Sequence, residues 1–288
     1  MRNLKMSLLL VLATALMGSS FAISQMGLHY ASPLLLAGLR FSLAGLILAI
    51  LVRGRRHPHS GQQWAQVATI GLLQTTGVMG AIFLSLTTIP AGESAILTFT
   101  NPVLVVVLSA IFLKSRYRRG QWIGAVLGLT GVAVAIGATW HLHIGMAYGL
   151  ASAVFWASAT LLMKRWGPAV DLWVMTAYQM LIGGLCLVIL GMALEAPVFQ
   201  LSLVSVAILA WLVVMASIVQ FGAWFYVLHH GDPARASSYL FLAPVFGVAS
   251  GWLLLDQSIG TRVALGAVLI MLGIWLVNQR QTTAVRVR

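Results

Sequence analysis

Long apolar runs alternate along the chain with short segments that carry nearly all of its charge. Ten of these runs approach membrane-spanning length: residues 6–28, 34–52, 64–88, 93–113, 120–138, 143–163, 172–193, 203–228, 234–255 and 261–279. About 20 apolar residues at helical rise cross the hydrocarbon core of a bilayer, and a helix satisfies its own backbone there. The pattern predicts an all-α polytopic membrane protein with ten transmembrane helices. No charge block or Ser/Pro-rich linker interrupts the runs, so one membrane domain without a soluble module is expected.

The runs also repeat. PAGESAILTFTNPVLVVVLSAIFL at 90–113 is echoed by DPARASSYLFLAPVFGVASGWLLL at 232–255, with Pro102 matched by Pro244. Leu12, Ala13, Ala15 and Ser20 recur 138 positions later as Leu150, Ala151, Ala153 and Ser158, as Leu34 and Gly45 do in Leu172 and Gly183. From the third run the spacing is 142, pairing Gly80 with Gly222, Phe83 with Phe225, and Gly124-Ala125-Val126 with Gly266-Ala267-Val268. The chain thus divides into five-helix repeats at 1–141 and 142–288. Five is odd, so the halves enter the membrane from opposite sides, which makes an inverted repeat. The basic, apolar N-terminus has the outline of a secretory signal, but it has no clean small-x-small cleavage site and shares the repeat, so it is read as the first transmembrane helix.

Composition excludes a water-soluble globule: 60% of the 288 residues are hydrophobic and 8% charged, with a mean hydropathy of +0.96. The net charge of +12 would suggest nucleic acid in a soluble protein. Here the cations cluster in alternate connections, at Arg53–Arg56, Lys114–Arg119, Lys164–Arg165, Arg235 and both termini, leaving only Arg40 in a span and Arg262 on the other side. That asymmetry places both termini in the cytoplasm and pairs the basic clusters with anionic lipid, not nucleic acid. Cys186 stands alone in an apolar run, so no disulfide is expected.

Arg40 lies about 9 Å into the second span, a depth at which a cation needs a cavity, a carboxylate or backbone carbonyls. Two uses fit: a ligand for a substrate carboxylate, or a gate partner for Glu93. The structural alternative is a snorkelling arginine at the rim. Glu93 opens the fourth helix, where it either complements the helix dipole or serves proton coupling or an outer gate. Pro102 and Pro244 each remove a backbone donor one half to two thirds of the way along their runs, which predicts kinks exposing carbonyls near Thr98, Tyr239 and Leu240.

Gln74, Asn101, Trp156, Tyr178, Gln179, Gln220, Trp224 and Tyr239, with Gln25, lie at mid-span depth, unlike the interfacial belt of Trp64, Trp122, Trp140, Trp166 and Trp173. Together they suggest an aromatic cavity with amide handles; singly, each is also explained by helix packing. The pairs His57/His59, His141/His143 and His229/His230 lack a Cys or carboxylate cluster, so no metal site is expected. There is no HExxH, Walker A or nucleophile elbow, which argues against an enzyme and against a cofactor.

Gly18-Ser19-Ser20-Phe21, GLHYASPLLLAGLRFSLAG from Gly27, PAGESAIL, NPV, RRGQWIGAVLGLTGV and SAVFWASATLLMKR together resemble the ten-helix EamA-type branch of the drug/metabolite transporter superfamily. LLQTTGVMG, VDLWVMTAYQM and the arginine-rich loop before Gln121 are most similar to its bacterial cystine and amino-acid exporters. The resemblance implies a secondary transporter in the bacterial inner membrane that exports an amino-acid-like small molecule by alternating access, with protons or a second substrate as the coupling partner. It also implies a cavity between helices 1, 3, 4, 6, 8 and 9. Met17 stands where the family usually has Trp, and Ser115 where a Gly-Glu end precedes the basic residue, while Asp256 keeps the acid in the second half. A lipid-carrier flippase, a membrane-embedded enzyme and a passive channel are the alternative classes.

Overall fold

The computed structural model describes residues 2–112, 114, 117–136, 143–166, 170–230 and 239–277. The readings placed on Ser115, Arg116, Trp140, His141, Arg235, Arg280, Arg286 and Arg288, on the 141/142 boundary, and on the side chains of Arg2, Phe225, His229 and His230 lie outside the described residues. The helices are α1 (Arg2–Gly27), α2 (Pro33–Leu51), α3 (Gly61–Gly71), α4 (Val78–Ser85), α5 (Ala91–Thr98), α6 (Asn101–Phe112), α7 (Arg119–Ile136), α8 (Ile144–Trp166), α9 (Leu172–Leu194), α10 (Leu203–Val213), α11 (Gln220–His230), α12 (Leu242–Leu255) and α13 (Thr261–Val277). Among the described residues, seven helical stretches are long and apolar enough to cross a membrane, and the apolar helices at Tyr239–Leu255 and Thr261–Val277 are shorter. Large apolar side chains such as Leu51, Phe112, Leu203 and Trp252 point outward, as a lipid-facing surface requires.

Local chemistry sets the helix starts. Ser60 Oγ accepts from Gln63 N at 3.2 Å to cap α3, and Asp171 Oδ1 accepts from Trp173 N at 2.9 Å to cap α9. Pro33 occupies the first turn of α2, where its missing N–H costs nothing, and the Glu195 carboxylate accepts from Leu34 N at 3.0 Å. That cap reaches from the end of α9 to the start of α2. Beside it, Ser32 N donates to Val198 O at 3.0 Å and Gln200 N to Tyr30 O at 2.7 Å, tying the two connections together.

Two runs expected as continuous helix contain a π segment. Leu72–Gly77 separates α3 from α4, and Val214–Val219 separates α10 from α11. The two segments lie 142 positions apart. The proline runs also differ from expectation. Pro102 is the second residue of α6, after a break at Phe99 and Thr100, and Pro244 is the third residue of α12, after a 3₁₀ turn over Tyr239–Phe241. Each proline therefore sits in a first turn, where no hydrogen bond is lost, and the bend precedes it.

Small residues let the principal helix pairs approach. A Cβ on Gly45 of α2 would lie 2.4 Å from Leu181 N of α9, and one on Gly184 of α9 would lie 2.4 Å from Ser42 N of α2. Across α7 and α13, a Cβ on Gly131 would lie 2.7 Å from Gly266 O, and one on Gly266 would lie 2.6 Å from Gly131 O. Contact at backbone level replaces side-chain interdigitation at these crossings. Lys114 and Asp256, following α6 and α12, share a left-handed φ of 51° at the same spacing of 142.

Candidate functional site

A cavity of about 530 Å³ lies between the helices. At one extreme its wall includes Tyr117, Gln121, Leu172 and Val277, at the end of the bundle that bears the basic connections. Gln121 Nε2 donates to Val277 O at 3.2 Å there, and Arg55 forms an ion pair of 3.2 Å with Asp171. Deeper in, the wall is aromatic. Phe21 and Phe99 have ring centroids 5.9 Å apart, and Phe99 and Trp156 have theirs 5.6 Å apart. These distances are those of tilted aromatic packing.

At the opposite end, side-chain amides join the connections. Gln25 Nε2 donates to Leu86 O at 2.9 Å and Ile89 O at 3.2 Å, while its Oε1 accepts from Ala91 N at 3.1 Å and Gln257 Nε2 at 2.8 Å. Gln257 Oε1 in turn accepts from Ala91 N at 3.0 Å. Both donors and both lone pairs of the Gln25 amide are engaged.

Apart from Gln25, twelve residues are candidates for the wall, the gate or the kinks, and eight of them line this one cavity: Arg40, Gln74, Asn101, Pro102, Trp156, Gln179, Gln220 and Trp224. Arg40 is 4% exposed. Its Nε donates to Ser217 Oγ at 3.1 Å and its Nη2 to Ala216 O at 2.9 Å, both in the π segment before α11. A π turn perturbs the backbone ladder, so a carbonyl there can accept a side-chain donor. Its guanidinium also stacks 4.6 Å from the Phe41 ring. The π segment at Leu72–Gly77 meets α9, where Thr75 Oγ1 donates to Gln179 Oε1 at 2.8 Å. Arg40 and Gln179 thus each meet the π segment of a facing span.

The remaining four lie elsewhere. Tyr178 packs edge-on against Trp64 at 4.8 Å and His57 at 5.6 Å, because its neighbour Gln179 takes the inward face and adjacent helical positions diverge. Tyr239 Oη donates to Ser7 Oγ at 3.1 Å and leaves the wall position to Leu240. Pro244 is buried in the packing of α12. Glu93 borders a separate small pocket with Ala135, Met146 and Val263. No ion pair joins it to Arg40; the hydrogen-bond partners of Arg40 come from the eighth span.

The implied set of wall helices is also revised. The second and seventh spans contribute through Arg40, Met175, Thr176 and Gln179, and the described part of the ninth contributes Leu240 alone. Phe21, Phe83, Phe99, Met79 and Met163 were missed, because an apolar residue in an apolar run carries no sign of which way it faces. Ser20 and Ser24, at helical spacing beside Phe21, were the available clue.

The family model described as the EamA-like transporter family matches residues 4–137 and again 143–279. An uncharacterized transporter of Bacillus subtilis, YvbV, is 32% identical over 95% of this chain and 92% of its own length. A probable amino-acid metabolite efflux pump of Salmonella typhimurium is 27% identical over 93% of each chain. A solved crystal structure has a TM-score of 0.68 at 22% identity, covering 93% of this chain and 96% of its own, and so shares the fold.

Proposed function

Because the chain belongs to the EamA-like transporter family, we propose that it is a secondary transporter that exports small metabolites such as amino acids across the bacterial inner membrane by alternating access. The observation that carries this reading is the cavity of about 530 Å³, of small-molecule size, in which a buried arginine and several amides face an aromatic wall. The efflux-pump name of the Salmonella relative supports the substrate class and the outward direction.

Reciprocal contacts support two inverted five-helix repeats, at 1–141 and 142–288. Gly131 meets Gly266 as Gly273 meets Gly124, and the repeat spacing of 142 exchanges the two pairs. A two-fold axis in the membrane plane relates contacts in this reciprocal way. With ten crossings and both termini cytoplasmic, the basic end faces the cytoplasm, and the cavity reaches that side while the Gln25–Gln257 network closes the outer side. A closed outer network favours a gated carrier over a passive channel. Arg40, Gln74, Asn101, Trp156, Gln179, Gln220 and Trp224 form the substrate wall. The breaks before Pro102 and Pro244 are the points where the halves flex.

The test is uptake into inside-out vesicles, with substrates taken from a metabolite-accumulation screen of cells with and without the protein. Arg40→Ala should abolish uptake at normal expression, and Arg40→Lys should weaken it, since a point charge replaces a planar fork. A screen that finds no protein-dependent metabolite overturns the transporter reading, and wild-type uptake by Arg40→Ala removes Arg40 from the substrate site.

A further inference from the structure

We propose that Trp156 is a wedge that holds the cytoplasmic end of the cavity open, because it stands where the closed end has a glycine. The proposal rests on the reading of the chain as two inverted repeats. In such a protein the two ends close by equivalent contacts, one set from each repeat. A contact that shuts one end therefore identifies, through the repeat spacing, the residues that have to meet at the other.

Gly18 marks the closed end. It lies in α1, about two turns before Gln25. A Cβ there would lie 2.6 Å from Gly247 N and 2.7 Å from Phe246 Cβ, and closer still to Ala243 O, all in α12. The first and ninth spans thus touch at backbone level, with no room for a side chain between them. The spacing of 138 that matches Ser20 with Ser158 matches Gly18 with Trp156. The spacing of 142 that matches Pro244 with Pro102 matches Ala243 with Asn101 and Gly247 with Val105. Trp156, Asn101 and Val105 all line the cavity. One contact is closed and its counterpart is open.

The hinge of the open pair is visible beside the wedge. Thr98 Oγ1 and Ser152 Oγ are hydrogen-bonded at 2.8 Å, so the fourth and sixth spans stay joined one turn before Trp156. Past that bond the indole packs on Phe99 and lies on the cavity wall with Asn101 and Val105. An indole fills far more space than the hydrogen of a glycine. The fourth and sixth spans therefore cannot repeat, at Asn101 and Val105, the approach that Gly18 allows on the other side. Closure of the cytoplasmic end requires the ring to move aside, which favours the arrangement in which the cavity reaches the basic end.

The test reads the conformation of the full chain in membranes, in a Cys186→Ala background with no substrate added. Ser24 and Met163 both line the cavity, the first beside the amide network and the second next to Lys164 and Arg165 at the basic end. A cysteine replacing Ser24 is labelled with an impermeant thiol reagent in intact cells, and one replacing Met163 in inside-out vesicles. Trp156→Gly, which supplies the glycine of the closed end, should speed the reaction at position 24 several-fold and slow that at position 163 several-fold, as a shifted two-state equilibrium does. Trp156→Phe keeps an aromatic ring and should move both rates far less. Trp156→Ala gives the same reading if the glycine variant does not fold. Unchanged rates at both positions in a folded variant overturn the wedge, and so do rates that rise together, which report a loosened structure. Gln257→Ala separates this outcome from the inverted-repeat reading. If it speeds labelling at position 24 while Trp156→Gly changes nothing, the wedge is lost and alternating access stands.

Discussion

Gln257 Nε2 donates to Gln25 Oε1 across 2.8 Å, linking the first helix to the connection that follows α12. The bond joins residues from opposite halves of the sequence, so motion of one half against the other at this end has to break it. Gln257→Ala removes one donor and one acceptor from the network while leaving Gln25 bonded to Leu86 and Ile89. The expected result is a several-fold faster reaction of a cysteine at Ser24 with a membrane-impermeant thiol reagent applied from outside, read in a Cys186→Ala background. An unchanged rate would mean that the amides do not hold the outer end shut.

Topology has a simpler test. A cysteine replacing His57 in the same Cys186→Ala background should be protected from an impermeant reagent in intact cells and react in inside-out vesicles. Labelling from the periplasm would reverse the orientation assigned to the basic clusters.

Pro102 and Pro244 stand in first turns, so Pro→Ala at either restores an N–H that the helix does not need. Folded yield should change little, by less than about 1 kcal/mol in stability. Transport should fall further than yield, because a helix former at that place favours continuation through the break at Phe99–Thr100 or through the turn at Tyr239–Phe241. Unchanged transport in both variants would reduce the breaks to packing features.

At the crossing of α7 and α13, Gly131→Leu forces side-chain atoms onto the Gly266 carbonyl, where even a Cβ would lie at 2.7 Å. A cost of roughly 1–3 kcal/mol is expected, seen as a lower melting temperature in detergent. Gly120→Leu, where a Cβ meets nothing within 4 Å, is the control and should be near neutral.

Lys114 holds a left-handed φ of 51°, a region that costs an ordinary side chain roughly 1 kcal/mol. Lys114→Gly should therefore raise thermal stability by about that amount. Asp256 shares the same φ but is a residue type that tolerates it better, so Asp256→Gly should gain less.

The helices were legible because alternation of apolar runs with charged connections is a one-dimensional signal. The breaks in them were not. LLQTTG and VMASIV read as ordinary helix, since a π turn is selected by what packs against it, here Thr75 on Gln179 and Ser217 on Arg40. The polar members of the cavity stood out against apolar surroundings, whereas Phe21 and Phe99 did not. The structure does not bring Arg40 and Glu93 together for a related reason: charge identifies two candidates, but only the packing of helices decides which groups meet. Tyr178 shows the limit at single-residue resolution, because it and Gln179 share depth and cannot share a face.

Each π segment carries one residue more than an α-helix of equal length, and one residue is about 100° of turn. Everything beyond the segment is consequently rotated about the helix axis relative to an uninterrupted rod. For the eighth span this phase offset aims Gln220 and Trp224 at the cavity while α10 keeps its own face against the neighbouring helices. Tightening this segment into an α-helix without removing a residue would leave composition and hydropathy unchanged, yet swing that part of the cavity wall by more than a quarter of a revolution, whereas deleting one residue between Val214 and Val219 would absorb the extra residue and leave the wall in phase.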